Sequence, residues 1–229
     1  GTIKEIRKRE HDTEYGQYNS LVKADEDTYI LAYTTSSSRG MIKTFNIPTD
    51  GSSITEVVSL KHDNSRGMYN SLVRVDFDTY LLAYMGYRDD GYLSTFNIPA
   101  DGKTITKVKN YEFDSQNGKY MSLVQLDPNY FAVAYSYGYQ THVRRNTGWG
   151  SWIHTYKVPD DGSTITGIAS LRHNTNTHDN RHEAFVKIDE DSYVLAYRGY
   201  GDVQKNVYKG VLKSFTIAKD GSTITQESM

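Results

Sequence analysis

The chain has 229 residues, no cysteine and a formal net charge of −2. These values exclude a disulfide scaffold, a thiolate metal centre and a cysteine nucleophile, and they leave no broad positive field for polyanions. No apolar run reaches the roughly 18 residues of a membrane-spanning helix, and the opening Gly1-Thr2-Ile3-Lys4-Glu5-Ile6-Arg7-Lys8 does not read as a secretory signal.

In chain order, residues 2–10 read as an outer strand, because Ile3 heads a column that recurs at Ile54, Ile105, Ile165 and Ile224. The successive spacings are 51, 51, 60 and 59 residues. An Asp-Gly turn precedes each later member, at Asp50-Gly51, Asp101-Gly102, Asp161-Gly162 and Asp220-Gly221. The second repeat shows the unit most plainly. Its strands are predicted at 69–75 (A), 79–84 (B), 91–98 (C) and 104–109 (D), short runs rich in β-branched and aromatic residues and bounded by Asp, Asn, Gly and Pro. No segment carries helical apolar periodicity. Four strands per repeat of about 50 residues is the spacing of β-propeller blades.

The expected fold is therefore all-β: a four-bladed β-propeller of four-stranded antiparallel blades, with the ring closed by the N-terminal strand beside the C strand of the last repeat. A single domain over 1–229 is expected, with repeats at about 3–53, 54–104, 105–164 and 165–223. Residues 224–229 then duplicate the start of the outer strand, and only one copy can occupy that position. The duplication also fits an array longer than this chain, or blades that assemble between chains.

Segments such as Tyr69-Asn70-Ser71-Leu72-Val73, Asp78-Thr79-Tyr80-Leu81-Leu82-Ala83-Tyr84 and Thr95-Phe96-Asn97-Ile98-Pro99 resemble tandem repeats in large predicted extracellular proteins of marine microbes. The blade layout is also similar to WD-repeat and tachylectin-type lectin propellers. The resemblance implies a propeller blade and an extracellular or cell-surface setting, and it implies no activity. The Gly-His and Trp-Asp signature of WD repeats, the sialidase Asp-box and the kelch Gly-Gly pair are all missing.

The repeats differ from one another in an ordered way. The A–B turns (Asp25-Glu26-Asp27-Thr28 and its equivalents) and the C–D turns hardly vary, and their Asp, Asn, Gly and Pro serve tight-turn geometry. All length variation falls in the B–C connections of repeats three and four and the D–A connection before repeat four. In an antiparallel four-stranded blade those connections share one end, so every insertion lies on one face. Variable loops on a rigid scaffold are where function is usually placed.

That face supplies the candidate ligand-binding residues: Tyr87, Arg88, Tyr137, Tyr139, His142, Arg144, Arg145, Trp149, Trp152, His178, His182, Arg198 and Tyr200. Both tryptophans of the chain are among them. Aromatic faces flanked by planar hydrogen-bonding groups suit sugar rings, and arginines suit carboxylates or sulfates. The bland alternative is that long loops fold back and pack on themselves. The His11, His62 and His173 column accepts Phe113 and reads as packing or a turn cap. The Tyr33, Tyr84, Tyr135, Tyr197 and Tyr18, Tyr69, Tyr120 columns read as packing between blades.

A non-enzymatic module binding a glycan or another surface ligand is the leading expectation, with no metal, no cofactor, no nucleic acid, no membrane insertion, and self-association of blades as a further option. The alternatives are a lyase-like enzyme acting on acidic polysaccharide through Tyr139, His142, Arg144 and Arg145, and a spacer in an adhesive surface protein.

Overall fold

The computed structural model describes residues 2–115, 118–137, 150–174, 181–202 and 207–226. Among them are four antiparallel sheets of four strands, each in simple sequence order. The first holds β1 (Gln17–Lys23), β2 (Thr28–Thr34), β3 (Gly40–Asn46) and β4 (Thr55–Asp63). The second holds β5 (Met68–Arg74), β6 (Thr79–Met85), β7 (Gly91–Asn97) and β8 (Thr106–Asp114). The third holds β9 (Lys119–Asp127), β10 (Tyr130–Tyr137), β11 (Gly150–Lys157) and β12 (Thr166–Asn174). The fourth holds β13 (Arg181–Lys187), β14 (Ser192–Asp202), β15 (Val207–Ile217) and β16 (Ile224–Gln226). No helix among the described residues is long and apolar enough to cross a membrane.

The second strand of each sheet is apolar on both sides. Every residue of β6, Thr-Tyr-Leu-Leu-Ala-Tyr-Met, is buried, as expected for a strand covered on two faces. Turn chemistry fixes the sheet ends. Gly102 sits at φ +64, a left-handed conformation that glycine adopts without strain, and Asp101 Oδ1 accepts the N–H of Lys103 at 3.0 Å. Asp50, Asp161 and Asp220 repeat that bond, so these turns have the structural role read from the sequence.

The sheets pack face to face in series. β1 lies against β5, β5 against β9 and β9 against β13. The first junction joins Ala24, Ile30, Ala32 and Ile42 to Leu72, Tyr80, Leu82, Tyr84, Phe96 and Ile98. The same columns build the second and third junctions. Inner strands diverge too far for a backbone ladder, and a serine bridges them. The N–H groups of Leu72, Leu123 and Phe185 donate to Ser20, Ser71 and Ser122 Oγ at 2.9, 2.9 and 3.0 Å. Farther out, Thr44, Thr95 and Thr155 each donate Oγ1–H to the carbonyl of Gly102, Gly162 and Gly221, all at 2.7 Å.

The expected closure by residues 2–10 is not formed. These residues belong to no strand, and the outer position of the fourth sheet is taken by β16, with Ile217 opposite Ile224. Loop closure explains the choice: β16 follows β15 through a short turn, whereas residues 2–10 lie some two hundred residues away along the chain. The inner strands β13 and β1 are not packed as the consecutive inner strands are. Among the described residues the four sheets are joined in series, without a packed junction of that kind between the fourth and the first.

Candidate functional site

At one end of the series the D–A and B–C connections meet. The Gly67 N–H donates to Ser38 O at 2.8 Å, and the Gly118 N–H donates to Asp89 O at 2.9 Å. The strands that flank the insertions of the third and fourth repeats end here, and 138–149, 175–180 and 203–206 of those insertions lie outside the described residues.

Three layers of side chains lie beneath it. The first is an aromatic ladder across all four inner strands. Tyr18 and Tyr69 have ring centroids 4.4 Å apart, Tyr69 and Tyr120 4.5 Å, and Tyr120 and His182 5.1 Å. Each rung stands on left-handed backbone, with φ of 52, 55, 56 and 60°. Each lies at the start of an inner strand, and in all four sheets the A–B register shifts across it. Strained backbone at four equivalent positions persists only where packing over-determines it, and such strain clusters at functional sites. Burial, then Tyr120 and Tyr18, hold the Tyr69 hydroxyl far above its usual range. The tyrosine column does pack between blades, as read from the sequence. Its continuation in His182 places one predicted site residue as the fourth rung.

The second layer is the histidine column. His11 and His62 meet Tyr33 and Tyr84 edge-on at 4.7 Å, and His173 meets Tyr197 at 5.4 Å. Phe113 meets Tyr135 in the same way at 5.0 Å. Burial lowers His62 and His173 to about 3, with Lys107 and Lys213 adding to the effect. These imidazoles are neutral packing groups. Asp12 and Asp63 beside them cap turns, accepting the N–H groups of Glu14 and Ser65 at 2.9 and 2.8 Å.

The third layer is a polar node at each junction. Asn70 Nδ2 donates to Tyr18 O, Thr34 Oγ1 and Gly67 O at 3.3, 3.2 and 3.1 Å. The equivalent pair at the next junction is Met121 and Met85, both apolar. At the third it is Glu183 and Ser136. Ser136 Oγ donates to Glu183 Oε1 at 2.5 Å and contacts Ser151 Oγ at 3.1 Å. His173 Nε2 lies 3.8 Å from Glu183 Oε2. Burial pushes the Glu183 carboxyl up to about 7, against the bonds from Ser136 and Ser151 and the charge of Lys213. Sequence reasoning missed this node. Its signal was present in the columns, where Glu183 stands in place of Asn19, Asn70 and Met121, and Ser151 in place of Gly40, Gly91 and Gly210.

Of the other predicted residues, Tyr87 and Arg88 form a 3-10 turn on the second sheet, with the Arg88 guanidinium 5.2 Å from the Tyr87 ring centroid. Trp152 is half-buried on β11 and meets His154 at 5.8 Å. Arg198, on β14, covers the Tyr208 ring at 4.2 Å. Tyr137 and Tyr200 are strand residues opposite Gly150 and Tyr208. Tyr139, His142, Arg144, Arg145, Trp149 and His178 lie outside the described residues. The structure thus gathers His182 into the ladder and leaves Tyr87 and Arg88 on a separate blade. Among the described residues, no group of three or more His, Asp or Glu is placed to hold a metal ion. A groove of about 490 Å³ opens over the first sheet, lined by Glu10, His11, Asp12, Glu14, Lys43 and Glu56 among others.

No protein-family profile matches the sequence, and no curated protein does. Solved structures do match the fold. A protein from Lactobacillus plantarum superposes with a TM-score of 0.61 at 14% identity, over 89% of this chain and 54% of that one. NanB sialidase from Streptococcus pneumoniae gives 0.57 at 12%, over 82% of this chain and 28% of the sialidase. An exo-1,5-alpha-L-arabinanase from a bovine ruminal metagenomic library gives 0.51 at 14%, over 94% and 83%. These are β-propeller proteins, and the likeness establishes propeller-type sheets here. The chain spans about half of the Lactobacillus protein and less than a third of the sialidase. No sequence family stands behind the resemblance to marine microbial repeats.

Proposed function

We propose that this chain is a binding module for a glycan, taken up on the D–A/B–C face, in an extracellular or cell-surface setting. The observation that carries the reading is the aromatic ladder, Tyr18–Tyr69–Tyr120–His182, at the sheet end where strand order in the sequence puts every insertion. Its tyrosines are half-buried and His182 is exposed, so part of the ladder's aromatic surface is open to a ligand with an apolar C–H face. A sialidase and an arabinanase among the structural neighbours support a glycan as the ligand class. Arg144 and Arg145 in the third insertion add the means to hold a carboxylate or sulfate.

A glycan array that includes sulfated and uronate-containing polymers tests this directly. Trp149→Ala and His182→Ala should each weaken a hit, by about 1–3 kcal/mol for a stacking anchor, or roughly one to two orders of magnitude in affinity. Asp101→Ala, on the opposite end, should leave it unchanged. Equal losses from both ends in folded proteins refute the placement.

A second reading, an enzyme acting on the same ligand class, is favoured by one observation: a carboxyl raised to about 7 at Glu183 is protonated near neutrality, as a general acid must be. Release of product from an array hit, lost in Glu183→Gln, would decide for it.

A further inference from the structure

Each junction inside the chain joins two unlike faces. One blade offers a forward face: a small or branched apolar set, a threonine hydroxyl and a turn carbonyl. The next offers a rear face: larger aromatic and aliphatic side chains, a glycine carbonyl and, at the first and third junctions, a basic side chain, where the second has Gln125. At the first junction Thr44 Oγ1 donates to Gly102 O, and Arg74 Nη1 donates to Ala24 O at 3.0 Å. At the third, Lys187 Nζ donates to Leu126 O in the same way.

The two faces left over at the ends of the series are one of each kind. The forward face of the fourth blade carries Ile188, Val194, Ala196 and Leu212, in the columns of Ala24, Ile30, Ala32 and Ile42. The rear face of the first blade carries Leu21, Tyr29, Leu31, Tyr33, Phe45 and Ile47, in the columns of Leu72, Tyr80, Leu82, Tyr84, Phe96 and Ile98. Exposure shows what is missing. Leu212 is 67% exposed where Ile42, Leu93 and Ile153 are each at 0%. Ile188 is 63% exposed where Ala24, Val75 and Leu126 are at 3, 7 and 1%. Leu21 is 59% exposed where Leu72, Leu123 and Phe185 are at 4, 7 and 4%. The rest of the rear face is already covered within the blade, with Leu31, Tyr33 and Phe45 at 7, 2 and 4% and packed with Met41, Ile47 and Ile54, so the apolar surface left open is Leu21 on the first blade and Ile188 and Leu212 on the fourth.

The polar parts also match. Ser214 holds the hydroxyl of the Thr44 column on the fourth blade, and Gly51 supplies the turn carbonyl on the first. Lys23 holds the basic column, and Ile188 supplies its carbonyl. The chain before β1 is already placed for a blade behind the first. Ile6 covers Gly51 as Ile168 covers Gly221, and Arg7 and Arg9 donate to Ser52 O and Ile54 O at 2.7 and 3.3 Å. Residues 2–10 thus stand where the outer strand of a preceding blade would lie; on the fourth blade β16 fills that position, so in a docked pair either β16 or residues 2–10 of the neighbouring chain gives way. One element departs: Ala184 replaces the bridging serine, so Leu21 N–H would lack the acceptor found at every internal junction.

We propose that a second copy of this chain docks head-to-tail on these faces, its fourth blade on the first blade of its partner and the reverse, closing one ring of eight blades from two chains. The size agrees with the Lactobacillus protein, about half of which one copy spans. The contact is heterologous, and two copies satisfy both faces of each chain, which is the condition for closure.

Light scattering on the 229-residue chain should give twice the chain mass from micromolar concentration upward. Leu212→Asp and Leu21→Asp should each give folded monomers by circular dichroism, with association weakened about a hundredfold or more by the buried charge. Mixed together, they should form a dimer again, because Leu21→Asp retains a sound forward face and Leu212→Asp a sound rear face. Ala184→Ser should tighten the wild-type dimer several-fold by restoring the bridge. A monomeric wild type overturns the proposal, as does an open series of larger species. Loss of association in only one of the two Asp variants overturns it too, since that marks a like-on-like contact.

Discussion

Glu183→Gln separates the ionisation of the third polar node from its packing. A carboxyl at 4.5 when unfolded and about 7 when folded carries about 3 kcal/mol, at about 1.4 kcal/mol per pH unit. Below pH 4.5 both states hold the proton and no difference arises. Between 4.5 and 7 the folded protein keeps a proton that the unfolded chain has released, so stability falls as pH rises. Above 7 the full penalty applies. Glutamine keeps the acceptor for Ser136 and removes the charge. The variant should therefore match the wild type near pH 4.5 and exceed it by about 3 kcal/mol at pH 8. His173 acts in the opposite sense, since an imidazole lowered to about 3 costs stability as pH falls below 6.5. It is present in both proteins and drops out of the difference. Urea denaturation at several pH values, with the slope m compared at each, gives the measurement. A difference that does not change with pH, or a variant less stable at pH 8, would refute the assignment of a buried, protonated Glu183.

His62→Phe should be neutral or stabilising by about 1 kcal/mol at pH 7, because neither ring nitrogen has a hydrogen-bond partner and Phe113 fills the same column. The gain should grow at pH 4, where the unfolded histidine is protonated and the folded one is not; a thermal scan at both pH values checks it. Gly162→Ala should cost roughly 2 kcal/mol, since φ is +65° and a Cβ would sit 2.9 Å from Thr95 Cβ. Gly210→Ala, with nothing within 4 Å of its Cβ, should change stability little, and similar losses at both sites in urea titrations would contradict the packing argument.

The strands and turns were legible because each rests on local chemistry repeated four times. Asp-Gly sets a left-handed turn whatever lies around it, and the unbroken apolar run Tyr80-Leu81-Leu82-Ala83-Tyr84 reports burial on both faces. The end of the sheets that carries the insertions followed from strand parity alone. The filling of the fourth outer position was not legible, since Ile3 and Ile224 fit the same column and only the length of the connecting chain distinguishes them. The ladder was half legible. The Tyr18, Tyr69 and Tyr120 column was visible, but its rungs meet across sheets at backbone angles that no side-chain pattern encodes. The Glu183 node was hidden for another reason. Its partners Ser136, Ser151 and His173 come from three strands, and each is an ordinary residue until the junction brings them together.

The serine bridge between inner strands runs in one direction only: the earlier strand lends a hydroxyl and the later one a backbone N–H. A repeat copied in place by gene duplication would inherit both halves of that bond. Its front would fit the old neighbour, and its back would fit its own parent. No new contact has to evolve for the series to lengthen by one, and an error of register would misplace every hydroxyl at once. Arrays of this kind can therefore change length across generations in whole repeats while each new junction inherits the serine bridge, and divergence is left to the loops at one end and to the polar node beneath them.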